Sequence, residues 1–590
     1  MKKVFLLFIM TMSIILAAKP IDDNTTQPIN TLESKPLDDW EYNATREAEK
    51  MFEKSGMMMR SMPMPSPMAP TGNIGLAVGG AKDTNNFKEN IDHGFLPKLD
   101  SITYEGQFYQ HFFDTALKGE CNELFCPSYV SAKRSNPFTK EEEVFLSVGL
   151  NSGIKASDFK RKKLNLVIVL DISGSMGSSF DQYYYDKFGN RQDIIQKDNG
   201  KSKMKVANES IVAMLSHLKG DDRSGMVVFD DSAYRAMKLN FVAVRDMDAI
   251  KKHILEIQDK GGTNWSAGYK AGVALFDGIE KSSEYENRII FLTDAMPNLG
   301  ELNKEGLFGM AEDASKRGIH TTFVGVGVDF NNDLVEFVSK IKGANYYSVH
   351  SSEGFAKVLD DEFEYMVTPL VYDLSLKLES KAYAIDAVYG SPDASKATGE
   401  IMKINTLFPS KKSEEATKGG VVLLKLKKMK SIDGDIILNV TYKDQDGISH
   451  SNKQQVVIEN SQNSGIRKAI LVSDYVNLMK NWLIDSRADC HDQPKWVNQK
   501  PLILQKRVLE YPSTHQMYLM ISEWERASCP VKVSDGYKKL FSVFAKYYEG
   551  QMKTLKDDSL NIELDIVKQL INTKAENPKN DNQITKDPKN

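Results

Sequence analysis

After its N-terminus the sequence has no long apolar run, and it has no excess of basic residues. Lysine and arginine total 76 against 80 aspartates and glutamates, so the formal net charge of the 590 residues is −4. Proteins that bind nucleic acid usually carry a concentrated basic surface, and this sequence has neither a basic run nor a basic patch interleaved with aromatic residues. No later stretch approaches the roughly 18 consecutive apolar residues that a membrane-spanning helix needs. The sequence predicts no nucleic-acid partner and no transmembrane span in the mature chain.

The usual signatures of hydrolases and nucleotide-binding proteins are also missing. There is no HExxH zinc-protease motif and no GxSxG nucleophile elbow. The Gly-rich segment 72–91 contains neither GK[ST] nor GxGxxG. The 9 histidines are scattered, and none forms a ligand pair at helical spacing. We therefore expect no catalytic residues and no enzymatic activity, with a hydrolase as the weaker alternative.

The N-terminus has the pattern of an export signal. Two lysines precede an almost wholly apolar stretch at residues 4–16, and two alanines follow it. This arrangement predicts a cleaved signal peptide at residues 1–18, with an uncleaved anchor as the alternative. Lys19 stands where a lipoprotein would have cysteine, so we expect no lipid anchor. The mature protein is expected in the periplasm, at the cell surface or in the medium.

Cysteine is scarce, with 4 residues in the chain. An even number in an exported protein favours disulfides. Proximity in the sequence suggests that Cys121 pairs with Cys126 and Cys490 with Cys529. A zinc site built from all four is the alternative, although neither pair has CxxC spacing.

Changes in composition divide the chain into seven segments. They are a signal peptide, a Met/Pro-rich and Gly-rich linker expected to be disordered, an aromatic N-terminal extension, an α/β domain, a small β-sandwich, an α-helical region and a disordered polar tail. In that order, the expected boundaries are 1–18, 19–99, 100–160, 161–368, 369–460, 461–573 and 574–590.

The α/β domain is predicted from alternating strand and helix patterns. LNLVIVLD at 164–171 is a nearly continuous apolar run, and 203–219 has apolar residues at helical spacing. Strands that are apolar along their whole length are typical of a parallel sheet covered on both faces. We therefore expect a Rossmann-like domain with a central, mostly parallel sheet flanked by helices.

Five oxygen-bearing side chains fall at the ends of predicted strands or the start of a predicted helix. They are Asp171, Ser173, Ser175, Thr263 and Asp294. Ligands of open α/β sheets bind beyond the carboxyl ends of the strands, so these side chains are expected to converge there. Hard oxygen donors select Mg²⁺, Mn²⁺ or Ca²⁺ over zinc or copper. If solvent keeps one coordination position, an acidic side chain of a protein partner can take it.

This constellation resembles the metal-ion-dependent adhesion site of von Willebrand factor type A domains. The matching motifs are DISGS at 171–175, GGTN at 261–264 and LTDA at 292–295. The resemblance implies protein binding through the metal. Ala295 is a departure, because the family often has glycine there. The order of the segments also resembles secreted bacterial calcium-activated chloride channel homologues, which leaves a membrane-associated, channel-like or channel-regulating subunit as an alternative.

Aromatic residues near the expected metal are candidates for partner contact. Tyr183, Tyr184 and Tyr185 lie between the metal serines and the next helix, where a hairpin packing on its own domain is the alternative. Trp265 follows Thr263-Asn264, and it is either an anchor at the rim or a half-buried helix residue. The sequence favours an exported, metal-dependent adhesion or assembly protein.

Overall fold

The structure is a computed structural model, and it describes most of the chain outside the two termini. The described residues are 36–43, 73–178, 201–280, 282–294, 304–327, 340–349, 354–355, 357–392, 401–413, 416–429, 434–488 and 529–573. The predicted signal peptide and C-terminal tail, together with Tyr183, Tyr184, Tyr185 and Cys490, lie outside these ranges.

The strands and helices alternate in the middle of the chain and segregate elsewhere. The strands are β1 (Asn73–Val78), β2 (Gly80–Ala81), β3 (Phe112–Asp114), β4 (Cys126–Ser135), β5 (Glu142–Lys155), β6 (Lys163–Asp171), β7 (Arg223–Phe229), β8 (Ala233–Phe241), β9 (Tyr285–Thr293), β10 (Ile319–Val326), β11 (Asn345–Val349), β12 (Val371–Glu379), β13 (Tyr383–Tyr389), β14 (Ile401–Ser410), β15 (Lys412–Ser413), β16 (Ala416–Lys418), β17 (Val421–Lys428), β18 (Ile436–Lys443) and β19 (Ser449–Val456). The helices are α1 (Asn85–Asp92), α2 (Tyr104–Tyr109), α3 (Lys203–Leu215), α4 (Met247–Leu255), α5 (Trp265–Ala274), α6 (Lys304–Lys316), α7 (Phe363–Met366), α8 (Ser464–Ala488), α9 (Asp535–Leu555) and α10 (Asn561–Asn572).

The predicted α/β fold is confirmed. A seven-stranded sheet has the order β2-β11-β10-β9-β6-β7-β8. Its neighbours are parallel except β7 and β8, which pair antiparallel and place β8 at one edge. We call this sheet with helices α3 to α6 the α/β domain. The sequence analysis did not predict strand β8 or helix α4.

Strand β6 shows why a continuous apolar run suits this sheet. Its residues Leu166 and Ile168 join a core with Ile211 of α3. The intervening Val167 joins a second core, on the other face, with Tyr269 of α5. Because successive side chains of a strand point to opposite faces, a strand covered by helices on both sides needs apolar residues at every position.

The prediction of a separate β-sandwich at 369–460 has the wrong boundaries. Strands on both sides of the α/β domain form one nine-stranded antiparallel sheet, with the order β13-β17-β5-β1-β14-β12-β18-β19 and β4 paired to β5. The predicted extension 100–160 supplies β4 and β5 to it. We call this sheet the β domain, and the α/β domain is inserted between its strands. Side-chain alternation identifies strands, but it does not say which distant strand each one pairs with.

The described parts of the expected disordered linker, 19–99, are ordered. Strand β1 lies between β14 and β5, and β2 joins the edge of the α/β sheet. Two glycines of the segment 72–91 have different roles: Gly80 adopts a φ of +97°, which favours glycine, and Gly75 permits close packing. A Cβ on Gly75 would lie 2.1 Å from Thr417 Cγ2.

The C-terminal region is helical in its described parts, as predicted. Phe541, Phe544 and Tyr548 of α9 are buried. Six apolar or aromatic residues along one side of α8 are buried as well: Val472, Tyr475, Val476, Met479, Trp482 and Leu483. These residues share a core with Phe87, Phe108 and Phe113. None of the helices in the described part of the chain combines the length and apolar character needed to cross a bilayer.

The cysteine expectations are met where the structure describes them. Cys121 and Cys126 form a disulfide with a Cα–Cα distance of 5.9 Å. Cys529 is disulfide-bonded as well. The expected partner of Cys529, Cys490, lies outside the described residues, so that pairing stays a prediction.

Candidate metal centre

Asp171 is placed by the end of strand β6. Its side chain is fully buried at the carboxyl edge of the sheet. The carboxylate accepts two hydrogen bonds, from the backbone N–H of Ser173 at 2.8 Å and from the Thr293 hydroxyl at 2.5 Å. The first bond is local and turns the chain out of the strand, whereas the second ties β6 to β9. The orientation of Asp171 is therefore fixed from two elements.

Ser173 and Ser175 face the same side, as their alternation predicts. The chain after β6 forms a 3₁₀ turn at Gly174–Gly177. The two hydroxyl oxygens lie 3.1 Å apart. The Ser175 hydroxyl also donates to Asp294 Oδ1 at 2.7 Å. A chain of contacts thus joins the two serines to the carboxylate at the end of the neighbouring strand.

Thr263 comes from a loop that is fastened to this turn. The backbone N–H of Gly174 donates to the Gly261 carbonyl at 3.0 Å, and Gly261 has a φ of +71°, which favours glycine. Asn264 caps α5 by accepting from the Ala267 N–H at 3.1 Å. Thr263 is buried beside that cap. The loop therefore carries Thr263 to the edge where Ser173 and Ser175 lie.

A lysine that the sequence analysis did not identify completes the site. The Lys203 ammonium donates to Asp294 Oδ2 at 3.0 Å, and both side chains have no exposed surface. Lys203 is the first residue of α3, after the capping Ser202. The sequence signal was weak, because a lysine in the first turn of a helix is ordinarily solvated. Thr293 was missed too, although it directly precedes Asp294 in LTDA.

The electrostatics of the site favour a cation. Burial, and then the charge of Asp294, raise the pKa of Asp171 to about 7. Hydrogen bonds from Thr293 and Ser173 act in the opposite direction. When both carboxylates are ionised, Lys203 balances only one of them. The remaining negative charge is held away from water, where a bound cation would relieve it.

The donor set fits a hard divalent cation. The site offers carboxylate and hydroxyl oxygens, which are the preferred ligands of Mg²⁺, Ca²⁺ and Mn²⁺. In the described part of the chain no group of three or more His, Cys, Asp or Glu side chains is placed to hold a metal. The proposed ligand set has two carboxylates, Asp171 and Asp294, and the hydroxyls of Ser173, Ser175 and Thr263 would add neutral oxygens.

Trp265 does not lie on a partner surface, which corrects its assignment as a candidate for partner contact. Its side chain is 1% exposed. The indole stacks on Tyr269 at 5.2 Å and lies 4.5 Å from the Phe291 ring, measured between ring centroids. The first turn of α5 packs directly on the sheet, so the residue after the capping Asn264 points into the core. The three tyrosines at 183–185 lie outside the described residues.

The sheet with an oxygen-rich site at its carboxyl edge is typical of open α/β domains, whose ligands bind beyond the carboxyl ends of the strands. Residues 166–297 match the family model of the von Willebrand factor type A domain, and the chain contains a domain of this family. Such domains generally mediate protein–protein interaction and adhesion, and they commonly bind a divalent metal. The resemblance to calcium-activated chloride channel homologues stays a prediction.

Curated relatives match the chain over a limited part of their length. It is 23% identical over 227 residues to inter-alpha-trypsin inhibitor heavy chain H4 of Homo sapiens, an alignment that covers 37% of this chain and 22% of the relative. It is 21% identical over 213 residues to inter-alpha-trypsin inhibitor heavy chain H2 of Mus musculus, covering 35% and 20%. The matched part is about a fifth of the length of these relatives.

Two solved structures are similar over larger shares. A von Willebrand factor type A protein from Catenulispora acidiphila is 14% identical with a TM-score of 0.40, covering 63% of this chain and 84% of that one. The ArnB paralog VWA2 from Sulfolobus acidocaldarius is 12% identical with a TM-score of 0.35, covering 76% and 97%.

Proposed function

We propose that this protein is exported and binds a protein partner through a divalent cation, Mg²⁺ or else Ca²⁺ or Mn²⁺. The observation that carries the proposal is the meeting of Asp171 and Asp294 with the hydroxyls of Ser173 and Ser175 at one buried edge. Thr263 is the fifth proposed ligand. The protein is proposed to have an adhesion or assembly role and no enzymatic activity.

The residues of the site have distinct tasks in this proposal. The two carboxylates supply the charge that holds the cation, and the hydroxyls supply neutral oxygens. Thr293 and the Ser173 N–H orient Asp171, while Lys203 orients Asp294. The bound metal would present a positive site to an Asp or Glu of the partner. Because the ligands sit on a packed sheet and on loops tied to each other, they are ordered before binding.

The partner requirement is tested by capture from the envelope fraction of the source organism. Three captures are compared. The mature chain 19–590 is used once with Mg²⁺ and once with EDTA, and the Asp171→Ala variant is used with Mg²⁺. Asp313→Ala, which changes an exposed carboxylate of α6, is the matched control. We expect a protein retained by the wild type and the control only when metal is present. The same set of captured proteins in every lane would contradict the proposal.

A further inference from the structure

A short N-terminal segment, residues 36–43, lies along the exposed edge of the α/β sheet. The Glu41 N–H donates to the Ala236 carbonyl of β8 at 2.7 Å, and the Leu37 N–H donates to Val244 O at 2.9 Å. In return the Asp246 N–H donates to Leu37 O at 3.0 Å. Edge strands expose unpaired backbone groups that an added segment can bind. We call residues 36–43 the edge segment.

A buried arginine recognises the edge segment. Arg245 donates from Nε and Nη2 to the two oxygens of Asp39, each at 2.8 Å. Its Nη1 is held from inside the domain by Ser224 Oγ at 2.9 Å and Asn240 O at 3.2 Å. The guanidinium is therefore fixed by the domain and turns its two-pronged face to the segment. Such bidentate pairing fits a planar carboxylate and adds geometric specificity to the charge attraction.

Further pairs extend this complementarity along the segment. Glu41 accepts from Arg235 at 2.7 Å, and Asp38 lies 3.0 Å from His253 Nε2. The Trp40 indole stacks on the His253 ring with centroids 5.4 Å apart. Each acidic residue of the segment thus meets a basic residue of the domain, and an aromatic ring packs beside them.

The end of the edge segment is anchored by a buried ring. Tyr42 packs in the same core as Ile172 and Met176. Its ring lies 5.8 Å from that of Tyr234, with Lys260 Nζ 5.7 Å from its centroid. Buried aromatic anchors and arginines are typical of the residues that contribute most of the binding energy at protein interfaces.

We propose that this edge of the α/β domain is a peptide-binding site for an acidic, aromatic segment, filled in one chain by its own residues 36–43 and able to take the same segment from a second copy. The side-chain pairs of Glu41, Asp39 and Asp38 join the segment to residues 194, 206 and 215 positions away, and all three partners lie in the α/β domain. A second copy presents the same groups, so exchange replaces each contact with an identical one. This inference does not depend on the metal site.

Full-length chains with complementary defects test the exchange. Asp39→Ala weakens the segment and leaves the receiving site intact, whereas Arg245→Met damages the site and leaves the segment intact. With different tags, the two variants should form a mixed complex. Each variant alone should stay unassociated. If the two variants are folded and never co-purify, exchange between copies is wrong.

A labelled peptide of residues 36–43 tests the site without the Arg245 variant. The folded Asp39→Ala chain should bind one peptide, and the wild-type chain should bind it at least about tenfold more weakly, because its own tethered segment competes. An Asp39→Ala peptide should lose about tenfold or more in affinity, since it lacks the bidentate pair. An Asp38→Ala peptide should lose less, because Asp38 and His253 are part-exposed. Absence of peptide binding to the folded Asp39→Ala chain would overturn the proposal.

Discussion

Lys203 Nζ lies 3.0 Å from Asp294 Oδ2, and both side chains are completely buried. The ammonium stands beside one of the two carboxylates that would hold the cation. Its positive charge reduces the negative charge that attracts a divalent ion. In the proposed function, the affinity for the cation therefore depends on this internal positive charge as well as on the ligands.

Replacing Lys203 with methionine should tighten metal binding. Removing one positive charge from a buried site favours the incoming cation, and we expect a gain of about tenfold or more in Mg²⁺ affinity. Isothermal titration with Mg²⁺ measures it. Lys205→Met is the matched control, because Lys205 is exposed on the same helix turn. Weaker binding by Lys203→Met would mean that the lysine chiefly positions Asp294.

Gly268 should resist substitution because α5 packs closely on the sheet there. A Cβ at Gly268 would lie 2.5 Å from Phe229 Cδ1. We expect Gly268→Ala to lower the free energy of unfolding by about 1–3 kcal/mol and to weaken metal binding, since α5 follows Thr263 directly. Gly309, in α6, has no atom within 4 Å of its Cβ position. Gly309→Ala should raise the free energy of unfolding by about 0.5–1 kcal/mol. Denaturant unfolding measures both substitutions. Equal effects of the two substitutions would contradict the close packing.

Lys82 should make stability depend on pH in the alkaline range. Burial lowers the pKa of Lys82 to about 7, and its ammonium donates to Val78 O at 2.6 Å. Between pH 7 and the ordinary lysine range near 10.5, the unfolded chain binds the proton that the folded chain has lost. The free energy of unfolding should therefore rise with pH across this window.

The substitution Lys82→Met tests that dependence. It should flatten the rise and increase stability at pH 7, because methionine carries no charge into the interior. Denaturant unfolding at several pH values between 7 and 10 measures the slope. Lys205→Met, at an exposed position, should keep the slope of the wild type. An unchanged slope in Lys82→Met would show that other groups cause it.

The sequence predicts those parts of the fold that depend on a few consecutive residues. The apolar run that ends at Asp171 and the alternation of Ser173 and Ser175 are contained in a few consecutive residues, so both the strand and the shared face were predictable. The pairing of Lys203 with Asp294 joins residues 91 positions apart. Nothing in the first turn of α3 distinguishes this lysine from a solvated one.

The sheet partners were harder to predict for the same reason. Gly75 of β1 pairs with Ser410 of β14 across the whole inserted α/β domain. Alternation gives the face of each strand, whereas the partner depends on which distant surfaces fit. Trp265 illustrates the same limit, since its burial follows from the position of Phe291 and Phe323 beneath the first turn of α5.

The central claim is that Asp171 belongs to a divalent-cation site, and isothermal titration of the EDTA-treated mature chain with Mg²⁺ tests it most directly. The wild type and the surface variant Asp313→Ala should bind one ion. Asp171→Ala should bind none and still unfold in a cooperative thermal transition, because the backbone pairing of β6 with β7 and β9 does not involve the carboxylate. Binding of Mg²⁺ by folded Asp171→Ala with the affinity of the wild type would contradict the account.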